Sequence, residues 1–241
     1  MKERSGLFEH LVFDLDDTLL DTYRQLLPRA TREACAAMVR AGLATDVETS
    51  LLACTELRKH QIESSDDPSR NEVFFGIVQR FGVRDGARPD DVVEAGLRSF
   101  YDRKIETDIS LFPGVKETLS ELRNRYDLYL VTSGTPSTQE EKIRILEIAD
   151  YFKQVIFVDI TKNERKYTAF ATIMRATGSK PEHHLSIGNR IDTDIAEARL
   201  LNWKTCWVRY GEYADREPRN DSERPDFIIR EIKELIDVCR L

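Results

Sequence analysis

Six short apolar runs, separated by helical patterns, limit what this chain can fold into more than any other feature of its sequence. Short runs of this kind are typical of strands buried on both faces of a sheet. Their alternation with helical patterns predicts an α/β fold with a mostly parallel, Rossmann-like sheet. The apolar runs cover residues 11–13, 128–131, 155–158, 185–187, 206–208 and 227–229, and the helical patterns cover residues 115–125, 140–148, 167–176, 194–201 and 232–238.

One long segment breaks this alternation. Between the first and second apolar runs, helical patterns occur at residues 29–40, 71–80 and 91–104, with no convincing strand pattern. About 90 residues is too long for a simple crossover between neighbouring strands. We therefore predict an all-helical domain at residues 22–110, inserted into a core domain made of residues 1–21 and 111–241.

Composition excludes several classes of protein. The chain has 241 residues and a formal net charge of −7, without a basic stripe, so no nucleic-acid partner is expected. No window approaches the roughly 18 consecutive apolar residues of a membrane span, so no membrane partner is expected either. The four cysteines show no metal-ligand spacing and the first ten residues contain no apolar signal segment, which together favour reduced thiols and the cytoplasm.

The sharpest chemical feature is an acidic motif directly after the first apolar run. Asp14, Asp16 and Asp17 follow Phe13, and Thr18 comes next. Ligands bind at the carboxyl ends of strands in open α/β sheets. Three carboxylates there repel one another unless a cation joins them, and their oxygen ligands favour Mg²⁺. A carboxylate can also attack phosphorus and form an acyl phosphate. The alternative is a solvated acidic turn.

With three further motifs behind it in order, the chain resembles the haloacid dehalogenase superfamily, specifically its phosphatases with a helical cap inserted after the first strand. The resemblance covers about residues 9–240. The second motif is an apolar strand that ends in Thr132, Ser133 and Gly134. The third is a lysine before a helix, and the fourth is the acidic segment at residues 188–194.

The resemblance implies a role for each matching residue. Asp14 would be the nucleophile, and Asp16 would protonate the leaving oxygen and then activate water. Thr132 would hydrogen-bond the phosphoryl oxygens, and a lysine would offset the charge between nucleophile and phosphoryl group. Substrate binding would also involve Thr18, Ser133 and Gly134. Mg²⁺ would be held by Asp14, the backbone carbonyl of Asp16, Asn189 and Asp194.

Two positions depart from the family pattern. Asn189 stands where the family usually has aspartate, so it offers a carbonyl oxygen to the metal but no charge. Asp192 either supplies the missing charge or faces solvent. The usual Lys-Pro of the third motif is absent. We favour Lys166, which is nearer the start of the predicted helix, over Lys162.

These residues predict a Mg²⁺-dependent phosphatase that hydrolyses a small phosphorylated metabolite through an aspartyl-phosphate intermediate. Asp16 argues against dehalogenation, because a halide needs no proton on leaving. The alternative is a binding or regulatory protein that kept the fold but lost most of its activity, and Asn189 is the feature that favours it. The substrate and the oligomeric state are left open by the sequence.

Overall fold

The computed structural model describes residues 7–64, 70–102, 105 and 108–241. The chain divides into two compact units. One consists of Met1–Thr22 with Ile105–Leu241, and the other of Tyr23–Lys104. The second unit lies within the predicted insertion at residues 22–110, while residues from Ile105 onward belong to the first. Assignment of the insertion as a cap stays a prediction.

The first unit contains a six-stranded sheet in which every neighbouring pair of strands is parallel, in the order β3-β2-β1-β4-β5-β6. This confirms the predicted fold class. Phe13 of β1 is in register with Leu130 of β2 on one side and with Ile187 of β4 on the other. The strands are β1 His10–Phe13, β2 Asp127–Gly134, β3 Gln154–Asp159, β4 His184–Gly188, β5 Lys204–Val208 and β6 Phe227–Ile229.

The helices are numbered in chain order across both units, and short 3₁₀ turns link several of them. The α-helices in the described residues are α1 Thr22–Gln25, α2 Leu27–Arg40, α3 Val47–Ser64, α4 Arg70–Phe81, α5 Pro89–Tyr101, α6 Val115–Arg125, α7 Pro136–Leu146, α8 Lys166–Thr177, α9 Ala196–Arg199 and α10 Leu235–Cys239.

The four central strands, β1, β2, β4 and β5, are buried almost throughout, which explains why they appear as apolar runs. Val12, Tyr129 and Val131 share a hydrophobic cluster with residues of α8 and α9, including Phe170. Because side chains alternate along a strand, the residues between them point to the opposite face. Leu130 is one of these, and it is equally buried.

The described residues of the second unit form α-helices joined by loops, with no strand apart from one isolated bridge between Leu43 and Val83. Its core joins α2, α4 and α5 through side chains such as Met38, Phe74 and Val92. Sequence patterning missed α3, because polar side chains interrupt its buried face. Arg58, for example, is buried and donates a hydrogen bond to Gln61 Oε1 at 3.0 Å.

Two other predicted helices differ in detail. The helix predicted at residues 91–104 begins at Pro89 and ends at Tyr101, and residues 103 and 104 lie outside the described residues. The helix predicted at residues 194–201 begins instead as a π-helical turn, Ile191–Ile195, before α9. That turn is part of the site described below. None of the helices in the described residues is both long enough and apolar enough to cross a membrane.

Candidate active site

The candidate site lies at the carboxyl ends of three neighbouring strands. Asp14 directly follows β1, and its backbone N–H donates to the carbonyl of Ile187 in β4 at 2.9 Å. Thr132 lies near the end of β2, and Asn189 directly follows β4. Because β1 lies between β2 and β4, the sheet topology brings motifs that are far apart in sequence to one edge.

Lys166 connects two of the predicted site carboxylates. Its Nζ lies 2.5 Å from Oδ1 of Asp14 and 2.5 Å from Oδ1 of Asp194, and all three side chains are buried. The alternative, Lys162, has a largely exposed side chain and pairs with Asp159 at 3.1 Å. The structure therefore places Lys166, and not Lys162, beside the predicted nucleophile.

Burial and charge act in opposite directions on this cluster. Burial raises the pKa of Asp14 to about 7; Lys166 opposes the rise, and the negative charge of Asp194 adds to it. Burial alone would lower the pKa of Lys166, but the two carboxylates outweigh it and keep that pKa above its usual value. Lys166 is thus an ammonium between two acids, and its one charge cannot balance two carboxylates.

Helix α8 holds Lys166 in place because its first turn is capped by a buried acid from α9. Glu197 Oε2 accepts a hydrogen bond from the backbone N–H of Tyr167 at 2.5 Å, and Oε1 accepts from Nε of Arg165 at 2.9 Å. A carboxylate at a helix amino terminus satisfies a free N–H and interacts favourably with the helix dipole. Glu197 therefore fixes where the Lys166 side chain begins.

Asp194 is held by the π-helical turn and by the end of β4. The backbone N–H of Arg190 donates to Asp194 Oδ2 at 3.0 Å, and the Ser186 hydroxyl donates to the Asp194 carbonyl at 2.8 Å. Gly188 makes this approach possible, because a Cβ there would lie 2.2 Å from Asp194 Cγ. The glycine of the fourth motif is thus needed for space beside the carboxylate.

Asp16 is held by side chains that sequence reasoning missed. Lys142 Nζ lies 2.7 Å from its Oδ1 and 2.9 Å from its Oδ2, and Gln139 Nε2 donates to Oδ2 at 2.8 Å. The Thr22 hydroxyl also donates to Oδ1. Burial would raise the pKa of Asp16, but the attraction of Lys142 and these hydrogen bonds hold it below its usual value. The sequence feature that could have identified these partners is a pair of long polar residues, Gln139 and Lys142, three positions apart in the helix after the second motif.

The second motif lies beside Asp16. Thr132 is fully buried, and its Oγ1 accepts a hydrogen bond from Gln139 Nε2 at 2.5 Å. The same amide group reaches the Ser133 carbonyl at 3.2 Å. Gly134 has a φ of 155°, and a Cβ there would lie 3.0 Å from the Gln139 side chain, so both its conformation and its surroundings favour glycine.

Thr18 differs from the other predicted substrate-binding residues. Its side chain is fully buried, and its hydroxyl has no hydrogen-bond partner among the described residues. Among the described residues, its hydroxyl thus makes no hydrogen bond to Asp14 or Asp16. The proposed site therefore does not include it.

The fourth motif contains one carboxylate that is already neutralised. Asp192 Oδ2 lies 2.6 Å from Nη2 of Arg190 and 3.1 Å from Nη1 of the buried Arg216. Asp192 thus neither faces solvent nor offers an uncompensated charge. Asn189 is buried, and its backbone carbonyl accepts a hydrogen bond from Trp207 Nε1 at 2.9 Å.

The donors at this edge fit a hard cation. Asp14 and Asp194 provide carboxylate oxygens whose charge exceeds that of Lys166, and Asn189 adds an amide oxygen. Mg²⁺ in proteins is commonly bound through one or two carboxylates together with substrate phosphates. Among the described residues, no group of three or more His, Cys, Asp or Glu side chains is arranged to hold a metal. The donor set thus fits Mg²⁺ with two protein carboxylates rather than a metal cage supplied by the protein alone.

Comparison with known proteins agrees with this arrangement. The family model for haloacid dehalogenase-like hydrolases matches residues 11–208. The glyceraldehyde 3-phosphate phosphatase of Methanopyrus kandleri is 34% identical over 97% of this chain and 98% of its own length. The protein of that name from Pyrococcus furiosus is 31% identical over 95% of this chain and 91% of its own length.

Solved structures show the same fold. The magnesium-bound HAD-hydrolase YfnB of Bacillus subtilis superposes with a TM-score of 0.68 at 22% identity, covering 95% of this chain and 97% of that one. A predicted phosphoglycolate phosphatase of Haemophilus somnus gives a TM-score of 0.71 at 18% identity, covering 96% and 98%. The match of the family model to most of the chain, together with full-length relatives above 30% identity, confirms the predicted resemblance. This chain belongs to the haloacid dehalogenase-like hydrolases.

Proposed function

We propose that this protein is a phosphatase that hydrolyses a small phosphate monoester, with Asp14 as the nucleophile. The observation that carries the proposal is the placement of Lys166 between Asp14 and Asp194 at the carboxyl edge of the sheet. A buried ammonium at the nucleophile attracts the phosphoryl group and stabilises the charge on its oxygens in the transition state. A buried carboxylate at this position can act as the attacking group.

The reaction has two steps. In the first, an Asp14 carboxylate oxygen bonds to phosphorus, the ester P–O bond breaks, and the leaving oxygen takes a proton from Asp16. In the second, Asp16 accepts a proton from water, whose oxygen attacks phosphorus. The acyl phosphate P–O bond then breaks, which releases inorganic phosphate and restores the Asp14 carboxylate. Thr132, which shares the Gln139 amide with Asp16, would bind the phosphoryl oxygens together with the backbone amides near Ser133 and Gly134.

Mg²⁺ is the metal that the donor set fits best. We assign its binding to Asp14, the backbone carbonyl of Asp16, Asn189 and Asp194. When bound, Mg²⁺ would neutralise charge on the phosphoryl oxygens. Asp14 and Asp194 would then share their negative charge between the metal and Lys166, and the site would carry a net positive charge that suits an anionic phosphoryl group.

The relatives indicate which substrates to test first. The two glyceraldehyde 3-phosphate phosphatases match over nearly their whole lengths, so we propose a three-carbon aldehyde or hydroxy phosphate as the substrate class. The four cysteines are buried and none is in a disulfide, which supports the cytoplasm as the location. More distant relatives include a pyrophosphatase of Oceanobacillus iheyensis at 26% identity and a phosphoserine phosphatase of Thermus thermophilus at 28% identity.

The test measures phosphate release from glyceraldehyde 3-phosphate, phosphoglycolate, phosphoserine and pyrophosphate, with and without Mg²⁺. Asp14→Asn should abolish turnover with the fold intact, because an amide cannot form the acyl phosphate. Asp16→Asn should lower kcat roughly 10²–10⁴-fold, the range for losing general acid–base help. Asp150→Asn, on an exposed 3₁₀ turn, is the matched control and should keep wild-type activity.

Asn189 keeps one alternative open, a protein that retained the fold for binding or regulation. That alternative is favoured if the wild-type protein binds a phosphate ester but releases no phosphate from any member of the panel. Full activity in Asp14→Asn would refute the proposed mechanism instead.

A further inference from the structure

A second lysine, Lys142, is buried against the carboxylate of Asp16. Its Nζ lies within hydrogen-bond distance of both carboxylate oxygens, at 2.7 and 2.9 Å. The Lys142 side chain is only 8% exposed, whereas that of Asp16 is 27% exposed. Asp16 is the only hydrogen-bond partner of this ammonium within the part of the chain that the structure describes. The lysine therefore lies behind the carboxylate, and the carboxylate keeps an open side.

Gln139, one turn earlier on the same face of α7, connects Asp16 to the second motif. Its side-chain amide reaches Asp16 Oδ2 at 2.8 Å and Thr132 Oγ1 at 2.5 Å, and it is almost completely buried. The same Nε2 also lies 3.2 Å from the Ser133 carbonyl, so its two hydrogens are shared among three acceptors. The orientation of Asp16 is thus tied to the residue proposed to bind the phosphoryl oxygens.

A buried lysine is an energetically unfavourable way to attach a helix to a sheet. Removing an ammonium from water costs free energy, and fixing its long side chain costs conformational entropy. An apolar side chain would attach α7 to the sheet at lower cost. An ammonium that contacts both oxygens of one carboxylate does something an apolar group cannot, because it restricts the rotation of that carboxylate.

We propose that Lys142, assisted by Gln139, is a positioning residue that orients the Asp16 carboxyl group toward the leaving-group oxygen and the attacking water. The inference rests on the proposed phosphatase function and deepens it. Small errors in the placement of a reacting group lower the rate strongly. Loss of Lys142 should therefore lower the rate most when the reaction depends most on proton transfer from Asp16.

Two synthetic esters separate this role from a structural one. Phenyl phosphate releases a poor leaving group that needs a proton, whereas 4-nitrophenyl phosphate releases a stabilised anion that needs little help. Lys142→Met keeps the length of the side chain and removes the charge. With Gln139 and Thr22 still in place, we expect a decrease in kcat of about 10- to 100-fold on phenyl phosphate, part of the full effect of losing Asp16. On 4-nitrophenyl phosphate we expect a few-fold decrease, with KM nearly unchanged on both.

Three further variants complete the experiment. Lys142→Arg should restore most of the activity on phenyl phosphate, because a guanidinium can also contact both oxygens. Lys204→Met is the matched control. It removes a lysine that lies outside the proposed site and pairs with Asp226 at 2.8 Å, and it should leave kcat on both esters unchanged. In an Asp16→Asn background, Lys142→Met should add little, because residues that act through one another are not additive.

The outcomes are distinguishable. A larger loss on phenyl phosphate, with rescue by arginine and no further loss in the Asp16→Asn background, supports the proposal. Equal losses on both esters, no loss on phenyl phosphate, or independent effects of the two substitutions would overturn it. If Lys142→Met does not fold, as judged by circular dichroism, Lys142→Gln provides the same comparison. If the wild-type protein hydrolyses neither ester nor any natural phosphate, the proposed function fails, and this inference fails with it.

Discussion

Gly188, the glycine beside the proposed metal ligand Asp194, offers the sharpest test of the site geometry. A Cβ on Gly188 would lie 2.2 Å from both Cγ and Oδ2 of Asp194, whereas ordinary contacts begin near 3.4 Å. In Gly188→Ala, the carboxylate must therefore move by about 1.2 Å to reach an ordinary contact distance. Asp194 is almost completely buried and is held by Lys166 and by the N–H of Arg190, so it cannot move without breaking one of these bonds.

The expected effect follows from that displacement. A shift of about 1 Å in a catalytic arrangement can lower activity about 100-fold, and overpacking a buried site costs about 1–3 kcal/mol of folding free energy. We expect Gly188→Ala to lower kcat/KM by roughly that factor and to raise the Mg²⁺ concentration for half-maximal activity. Steady-state assays across a Mg²⁺ titration, with a urea unfolding curve, measure both effects.

Gly76→Ala is the matched control, because a Cβ there meets only the flexible end of Leu57 at 3.2 Å. It should leave kcat/KM within about twofold of wild type, since it lies in the helical unit and touches no proposed site residue. If Gly188→Ala showed wild-type kcat/KM and an unchanged Mg²⁺ requirement, the close approach of Asp194 to the end of β4 would not matter for activity, and the reasoning would be refuted.

Two further substitutions separate the roles of the fourth motif. Asn189→Asp should lower the Mg²⁺ concentration for half-maximal activity, because a carboxylate adds negative charge where the amide has none; an unchanged titration curve would exclude Asn189 from the metal site. Asp192→Asn should instead reduce the free energy of unfolding by about 1–3 kcal/mol in urea denaturation, because it leaves Arg190 without its carboxylate and Arg216 with Glu223 as its remaining acid. An increased Mg²⁺ requirement in Asp192→Asn, without loss of stability, would contradict that assignment.

The sheet could be predicted from the sequence because its central strands are buried almost throughout and its edge strands are also apolar. Each strand then appears as a contiguous apolar run, and the parallel order places the motif-bearing ends together. The same argument located Asp14, Thr132 and Asn189, since each stands directly at or after a strand end. Helix α3 could not be found in this way, because its buried face includes Arg58 and Gln61, whose polar groups satisfy each other.

The partners of the site residues were harder to predict, because they depend on which side chains meet after folding. Lys166 and Lys162 are both plausible from position alone, and only the packing of α8 against the edge of the sheet separates them. Gln139 and Lys142 belong to a helix whose pattern identifies it without indicating that its polar residues are buried. For Asp192, the sequence left two alternatives open, and the arginine pairing supports neither.

The two lysines divide the proposed site into two parts, and a substitution in one part should leave the function of the other unchanged. Lys166 lies between Asp14 and Asp194, the carboxylates that fit the metal. Among the described residues, the Lys142 ammonium instead hydrogen-bonds to Asp16 alone, the group assigned to proton transfer. A change of charge at Asn189 should therefore alter the Mg²⁺ titration while leaving the ratio of rates on phenyl and 4-nitrophenyl phosphate near its wild-type value. Lys142→Met should alter that ratio and leave the Mg²⁺ requirement nearly unchanged. If either substitution changed both measurements to the same degree, the site would act as a single electrostatic unit, and the separate roles assigned to the two lysines would be wrong.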